Sequence, residues 1–305
     1  MLKFKFAAVT AIAAASMLMI SGCSSATSTP SATSTNGIPV VSVDDAAAAL
    51  LPAEFKTGID IASDIPYAPM EMFDENNKPT GFDYDLSVAI GQKLGVPMAF
   101  NKQAWDSIIP SLQAGNHDII MSGMNDTVER QATLDYVDYF KGGFSIVVAK
   151  GNPSNITKLT DLCGQTATVQ TATVQGDMLK ALTPECEALG KAAVTVTEYP
   201  SDPEALNALR AGKCVADVMD APIAAYAAQT AGDGKYFDLV VDAAAPNGYD
   251  PVYTGIGVLK SNTGLTAALQ AAVQSLIDDG TYKLILDKWN LGSFGVTTAT
   301  INGTK

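Results

Sequence analysis

The sequence predicts an α/β protein built as two lobes. From about residue 55, short apolar segments of strand length alternate with helical ones. The alternation comes in two successive sets, and helical segments are left over at the end, as when a chain crosses to a second lobe and returns.

In the first set, 57–61 reads as a strand. Asp83 or Asp85 is placed to cap a helix whose Leu86, Ala89, Ile90 and Leu94 share one face, with Gly95 ending it. Asp106 is placed to cap a second helix, with Ile108, Ile109 and Leu112 inward and Gly115 closing it. Pro110 falls near the first turn of that helix, where a missing N–H costs least. Strands are expected at 118–121 and 146–150. In the second set, strands fit 166–170, 194–198, 215–219, 239–241 and 255–259, and helices fit 174–182, 203–211 and 221–231. The helices left over are 265–277 and 282–289.

Ahead of the lobes, Lys3 and Lys5 precede an apolar run over 6–20 of signal-peptide length. A bilayer span needs about 20 apolar residues, so this run is short for one. It ends in Ile20-Ser21-Gly22-Cys23, which resembles the bacterial lipobox. Residues 1–22 are therefore expected to be removed and Cys23 lipidated, anchoring the exported chain to the outer face of the cell membrane. Ser, Thr and Ala dominate 24–36. A stretch with so little to bury behaves as a flexible tether, which is expected to run through residue 53.

Apolar residues make up 47% of the chain and the formal net charge is −13. Phosphate contacts need clustered Lys and Arg, so nucleic acid is excluded as a partner; the arginines are Arg130 and Arg210 alone. Beyond Cys23 the cysteines are Cys163, Cys186 and Cys214. In an exported protein a bridged pair is expected. Cys163 and Cys186 sit in loop-like contexts and are the favoured pair, stabilising by roughly 3 kcal/mol in the chain-entropy model. Cys214 opens an apolar run and is expected as a buried thiol. No metal-ligand spacing is present, and no cofactor is expected.

Several collinear segments carry a resemblance. They are Ser63-Asp64-Ile65-Pro66-Tyr67-Ala68-Pro69-Met70-Glu71, Gly81-Phe82-Asp83-Tyr84-Asp85-Leu86 and Trp105-Asp106-Ser107-Ile108-Ile109-Pro110-Ser111-Leu112, followed by 118–130, 216–222 and Asp279-Gly280-Thr281-Tyr282. Together they resemble the polar amino-acid family of solute-binding proteins that serve ABC transporters, which have the type II periplasmic-binding-protein fold. The resemblance implies one lobe from 54–146 plus 259–305 and an inserted lobe from 147–258. Two crossing strands near 145–149 and 255–258 would serve as the hinge, and a ligand would sit in the cleft that hinge closure covers.

A free amino acid offers a carboxylate, an ammonium and a side chain. Arg130 can pair bidentately with the carboxylate; Asp126, with Glu129 at the capping-box position, is expected to head its helix. Ser122, Gly123 and Asn125 precede it in the motif, although the family often has a hydroxyl residue where Asn125 stands. Asp220 follows a buried-looking strand, at the end where α/β clefts form, and is the expected ammonium partner. Thr173 corresponds to a loop that meets the carboxylate at a helix N-terminus; the family usually has Gly where Ala172 stands. Tyr67 and Trp105 are expected as aromatic walls. Asp64 matches a position that contacts the ligand side chain in several relatives, and the acidic Asp64, Glu71 and Asp126 tilt the expected ligand toward a cationic or amide-bearing amino acid.

The expected function is thus capture of a free polar amino acid by a monomeric, lipid-anchored binding protein, for delivery to an ABC permease. A sensory module for a membrane receptor is the alternative. Enzymatic activity is not expected: a few relatives of this fold are dehydratases or lytic enzymes, but no Ser-His-Asp or Cys-His arrangement is visible, and His117 reads as a solvated loop residue.

Overall fold

The computed structural model describes residues 38–305; the signal-peptide segment, Cys23 and the run over 24–36 lie outside the described residues. Helix α1 (Asp45–Leu50) is capped by Asp44, whose carboxylate accepts from the amides of Ala46 and Ala47. Strand β1 (Ile59–Ser63) leads to the two-residue strands β2 (Met72–Phe73) and β3 (Pro79–Thr80), helix α2 (Phe82–Leu94) and strand β4 (Met98–Lys102). Helix α3 (Ile108–Gln113), strand β5 (Ile119–Ile120) and the long strand β6 (Leu134–Ala149) follow. The second set is β7 (Thr166–Gln170), α4 (Val174–Ala181), α5 (Thr183–Ala188), β8 (Thr195–Tyr199), α6 (Asp202–Arg210), β9 (Ala216–Asp220), α7 (Ala221–Thr230) and β10 (Phe237–Leu239). The chain returns through β11 (Tyr249–Leu259) to α8 (Thr263–Asp278), α9 (Thr281–Lys288) and β12 (Gly295–Ile301).

The main sheet has the order β4-β1-β5-β11-β6-β9-β7-β8, with β10 and β12 also on β6. In the first lobe β1 lies parallel to β4 and β5; in the second, β7 lies parallel to β8 and β9. Strand β6 belongs to both lobes. Its first part pairs with β11 from Leu134↔Leu259 onward, and its last part pairs with β9 from Phe144↔Asp220 to Val148↔Ala216.

Apolar periodicity explains the helices that cover these sheets. On α2 the buried apolar residues are Phe82, Leu86, Ala89, Ile90 and Leu94, and Gly95 ends the helix in the left-handed conformation at φ 71°. Helix α8 turns Leu265, Leu269, Val273 and Leu276 inward to the same core. Burying side chains of this size is worth about 1.5–3 kcal/mol each.

The structure departs from the sequence reading in physically specific ways. Neither Asp83 nor Asp85 caps α2; Gly81 is the N-cap residue and both carboxylates are buried in the first turn. Asp106 makes no cap either, since a short 3-10 turn over Trp105–Ser107 precedes α3 and Ile109 is only half-buried. Residues 145–149, assigned to a crossing, are paired with β9 through Val148, and 257–258 with β5. The segment over 38–53, assigned to the tether, is packed: Ile38, Ala47 and Leu51 are buried, and the Asp44 amide donates to Lys93 O at 2.9 Å. Cys163 and Cys186 are bonded, S–S 2.01 Å, with Cys186 inside α5 rather than in a loop, and Cys214 is a buried free thiol. No helix of the described residues is long and apolar enough to cross a membrane.

If the segment before β1 is part of the core, Leu51→Ala, at a site 3% exposed, should create a cavity. A loss of about 2–3 kcal/mol is expected, read as a lower urea midpoint at unchanged slope. A free tether would leave the midpoint where it was.

Candidate functional site

Four strand ends meet at one cleft, each contributing its C-terminal residues. Asp64 follows β1, Ser122 to Asn125 follow β5, Gln170 ends β7 just before Thr171–Thr173, and Asp220 ends β9. In open α/β sheets that edge is where ligands bind, because the chain leaves the sheet there with its backbone groups free to point outward. A narrow cavity of only about 10 Å³ is lined by Asp64, Tyr67, Trp105, Ser122, Asn125 and Asp220, with Gln170, Thr173, Gln175 and Gly123. Trp105 and Thr173 also line a wider space of about 400 Å³ that reaches Arg130.

The two lobes are bonded to each other across this cleft. The Tyr67 hydroxyl donates to Asp220 Oδ2, and Asn125 Nδ2 donates to Asp220 Oδ1 at 3.1 Å. In the opposite sense, Gln170 Nε2 donates to Asp64 Oδ2 at 2.8 Å. Arg130 Nη1 donates to Asn125 O at 2.9 Å and Nη2 to Ala172 O at 3.1 Å, with the guanidinium carbon 5.3 Å from the centre of the Trp105 ring. Ala172 carries its carbonyl there from a left-handed conformation, φ 55°. Thr173 turns its hydroxyl back onto Gln170 O at 2.7 Å and makes no side-chain cap of α4.

Behind the cleft, the Asp64 amide donates to Ser122 Oγ at 2.9 Å, and that hydroxyl donates to Glu71 Oε1 at 2.7 Å. The Gly123 amide and the Tyr139 hydroxyl both donate to Asp83, at 2.8 and 2.7 Å. Gly123 has φ 53°, and a Cβ there would lie 2.8 Å from the Tyr67 ring, so glycine is what lets the aromatic wall close.

All nine residues singled out in the sequence line these two connected spaces: Asp64, Tyr67, Trp105, Ser122, Gly123, Asn125, Thr173 and Asp220 the narrow one, Arg130 the wider. The local account of Arg130 changes. Asp126 and Glu129 form no capping box; Arg130 sits on a single 3-10 turn, its amide donating to Thr127 Oγ1 at 3.1 Å, while Asp126 binds elsewhere. Asp220 occupies the N-cap position of α7 without a capping bond, its oxygens being taken by the first lobe. Gln170 and Gln175 escaped the sequence reading. Gln170 was findable, since it ends a strand just as Asp220 does. His117 pairs with Ser111 Oγ at 2.6 Å and lines neither space.

The fold defines a class, the two-lobed type II periplasmic-binding-protein architecture. The family model of bacterial extracellular solute-binding proteins, family 3, matches residues 59–292, and the chain belongs to that family. The arginine-binding protein ArgT of Corynebacterium glutamicum is 32% identical over 240 residues, covering 78% of this chain and 75% of its own. An ancestral arginine-binding protein solved bound to glutamine is 34% identical with a TM-score of 0.66, covering 76% of this chain and 97% of its own. An ancestral amino acid-binding protein that is a precursor of cyclohexadienyl dehydratase is 30% identical with a TM-score of 0.67, over 77% of this chain and 96% of its own.

The cleft is acidic in depth. Asp202, 3% exposed at the start of α6, has two carboxylate oxygens that accept no hydrogen bond from the described residues, and the same holds for Asp217 on β9. Burial first, then the charges of Asp220 and Asp64, push the Asp202 carboxyl up to about 8. Burial raises Asp220 and Asp64 as well, opposed by the donors from Tyr67 and Gln170 respectively. Asp83 is pushed up to about 6, again chiefly by burial. Each of these carboxyls holds its proton more tightly folded than unfolded. Between the ordinary carboxylate value and the raised one, the folded state therefore carries more protons, and stability falls as pH rises. The ligand-free protein should lose stability from about pH 4 to pH 8, with Asp202 contributing to the upper part of that loss together with Asp138, pushed up to about 7, and the buried Glu71 and Asp217. Asp202→Asn should flatten the upper part and raise stability at pH 8.5 by about 2 kcal/mol, measured as urea midpoints across pH; an unchanged or steeper slope would contradict the assignment.

Proposed function

We propose that this is an exported solute-binding protein that captures a cationic amino acid, L-arginine first among the candidates, in the interlobe cleft and presents it to an ABC permease. Charge balance carries the reading. Arg130 is the only cation among the described residues lining the cleft, whereas Asp64 and Asp220 face it from opposite lobes. A ligand carboxylate answers Arg130 and a ligand ammonium answers Asp220. Asp64 is then left over, partly buried with Gln170 as its donor across the cleft, and such a carboxylate favours a second positive group at the far end of the side chain. Several relatives are arginine-binding proteins, which supports the same choice.

In this reading Arg130 takes the carboxylate bidentately, helped by Thr173 and the amides that open α4. Asp220, Tyr67 and Asn125 surround the ammonium, exchanging their bonds with one another for bonds to it. Tyr67 and Trp105 flank the aliphatic stem, and Asp64 with Gln170 reads the distal cation. Ser122 and Gly123 hold the loop in register with β1. Closure bends the two crossing strands over 140–144 and 249–254, where they leave one half-sheet and have not yet entered the other. Gly143 and Gly248 sit there in backbone contact, since a Cβ on Gly143 would lie 2.5 Å from Gly248 C. The cleft binds without turnover: Glu71 is buried and bonded to Ser122, away from a position to exchange protons with a ligand. The protein acts as a monomer, held to the membrane through lipidated Cys23.

The test is thermal stability of the lipid-free mature chain against the twenty amino acids. A ligand at 100 times its dissociation constant adds about 2.7 kcal/mol. Arginine or lysine should raise the melting temperature, and Arg130→Ala or Asp220→Ala should abolish the rise. Asp64→Asn should move the preference toward a neutral amide side chain such as glutamine. No shift with any amino acid would overturn the proposal.

A further inference from the structure

Past α9 the chain runs on beyond the segment matched by the family model, which ends at 292. Strand β12 lies antiparallel on β6, pairing Gly295↔Phe140, Thr300↔Asp138 and Ile301↔Val137. Gln270 and Gln274 of α8 bind it from behind, each through Ala299 at 3.0 Å. The next three residues turn back into the molecule. Asn302 exchanges bonds with the backbone of Tyr136, its amide donating to Tyr136 O and its Oδ1 accepting from Tyr136 N, and its Nδ2 donates to Asp135 Oδ1. The Gly303 amide donates to Asp138 Oδ2 at 2.8 Å, and the Thr304 amide donates to Asp126 Oδ2 at 3.0 Å. Gln131 Nε2 closes the ring, donating to both Asp126 Oδ1 at 2.7 Å and Thr304 O at 2.8 Å.

Asp126 is fully buried and is the residue between Asn125, in the cleft, and the turn that carries Arg130. Its own amide donates to Tyr253 O on β11 at 2.8 Å. The tail therefore reaches three things at once: the crossing strand β6 at Asp138, the crossing strand β11 through the Tyr253 ring, and the loop that presents Asn125 and Arg130. Space is tight at that junction. A Cβ on Gly303 would lie 2.7 Å from Asp138 Oδ2 and 3.1 Å from Tyr253 Cδ2.

We infer that residues 302–304 are a positioning clamp for the ligand site, holding the loop over 122–131 against the crossing strands so that Asn125 and Arg130 keep their places. The inference rests on the proposed role of those two residues in binding. Without the tail, Asp126 keeps only Gln131 as a side-chain partner and Asp138 keeps only Thr300. Two buried carboxylates short of donors would draw water to the loop from outside, loosening it from the face opposite the ligand.

Three versions of the mature protein test this: the chain ending at Ile301, the chain ending at Thr304, and full-length Gly303→Ala. Amide hydrogen exchange of the ligand-free forms comes first. In the Ile301 and Gly303→Ala forms, the amides of Asp126, Arg130 and Gln131 should exchange about tenfold faster, with those of β7 in the second lobe unchanged. Calorimetry with arginine should show about tenfold weaker binding in the same two forms. The chain ending at Thr304 should restore both readings to those of the full chain. Faster exchange spread evenly over both lobes, or unchanged loop exchange and affinity, would overturn the clamp. If the full chain binds no arginine while the loop exchange still rises, the clamp stands and the ligand assignment falls.

Discussion

Asp220 ends a strand of the second lobe and finds its hydrogen-bond partners in the first. It occupies the N-cap position of α7, yet its oxygens accept from the Tyr67 hydroxyl and the Asn125 amide across the cleft. A carboxylate out of water needs such donors, so closing the lobes repairs a deficit built into the second one. Asp64 is the mirror of this arrangement, a first-lobe carboxylate met by Gln170 of the second. Each exchange is worth only about 1 kcal/mol net, because the open cleft would offer water instead. The contacts between the lobes are thus individually light, and they use the same groups that the proposed binding of an amino acid would engage. In the proposed reading a charged ligand would gain chiefly by placing opposite charge beside carboxylates whose burial is costly.

That economy depends on where the sheet changes hands. Strand β6 is one element of 16 residues, but its partners switch from β11 to β9 near Phe144. Each half-sheet is thereby rigid and the connection narrow. Parallel strands on either side place their C-terminal ends toward the same gap, which is why residues distant in sequence, such as Asp64 and Gln170, arrive within hydrogen-bond reach.

Most of the helices and second-lobe strands were legible because their periodicity is unbroken; β7 falls on the residues read for it, 166–170. Strand β6 was legible only over its last residues, 146–149. Lys141, Gly142 and Gly143 interrupt any apolar run, and Asp138 is a buried polar residue that answers to the C-terminal tail, so no local pattern announces a strand there. Asp126 misled for the same reason: its spacing to Glu129 fits a capping box, but its oxygens are claimed by Thr304 and Gln131. The site residues were legible where a motif carried them. Asp202 and Gln175 were not, because burial without a partner leaves no mark in the sequence.

Ala172 joins these threads. The left-handed conformation costs an L-residue roughly 1–2 kcal/mol, and glycine would avoid most of that cost, yet alanine holds φ 55° here. Two bonds hold the turn on either side of it: Thr173 binds back to Gln170 O, and Arg130 reaches across the cleft to Ala172 O. The second exists only when the lobes are together. A turn that is strained in the second lobe alone is therefore better satisfied in the closed form, and the cation that satisfies it is the one a ligand carboxylate would engage. Local backbone strain, lobe closure and the placement of Arg130 are in this sense one equilibrium.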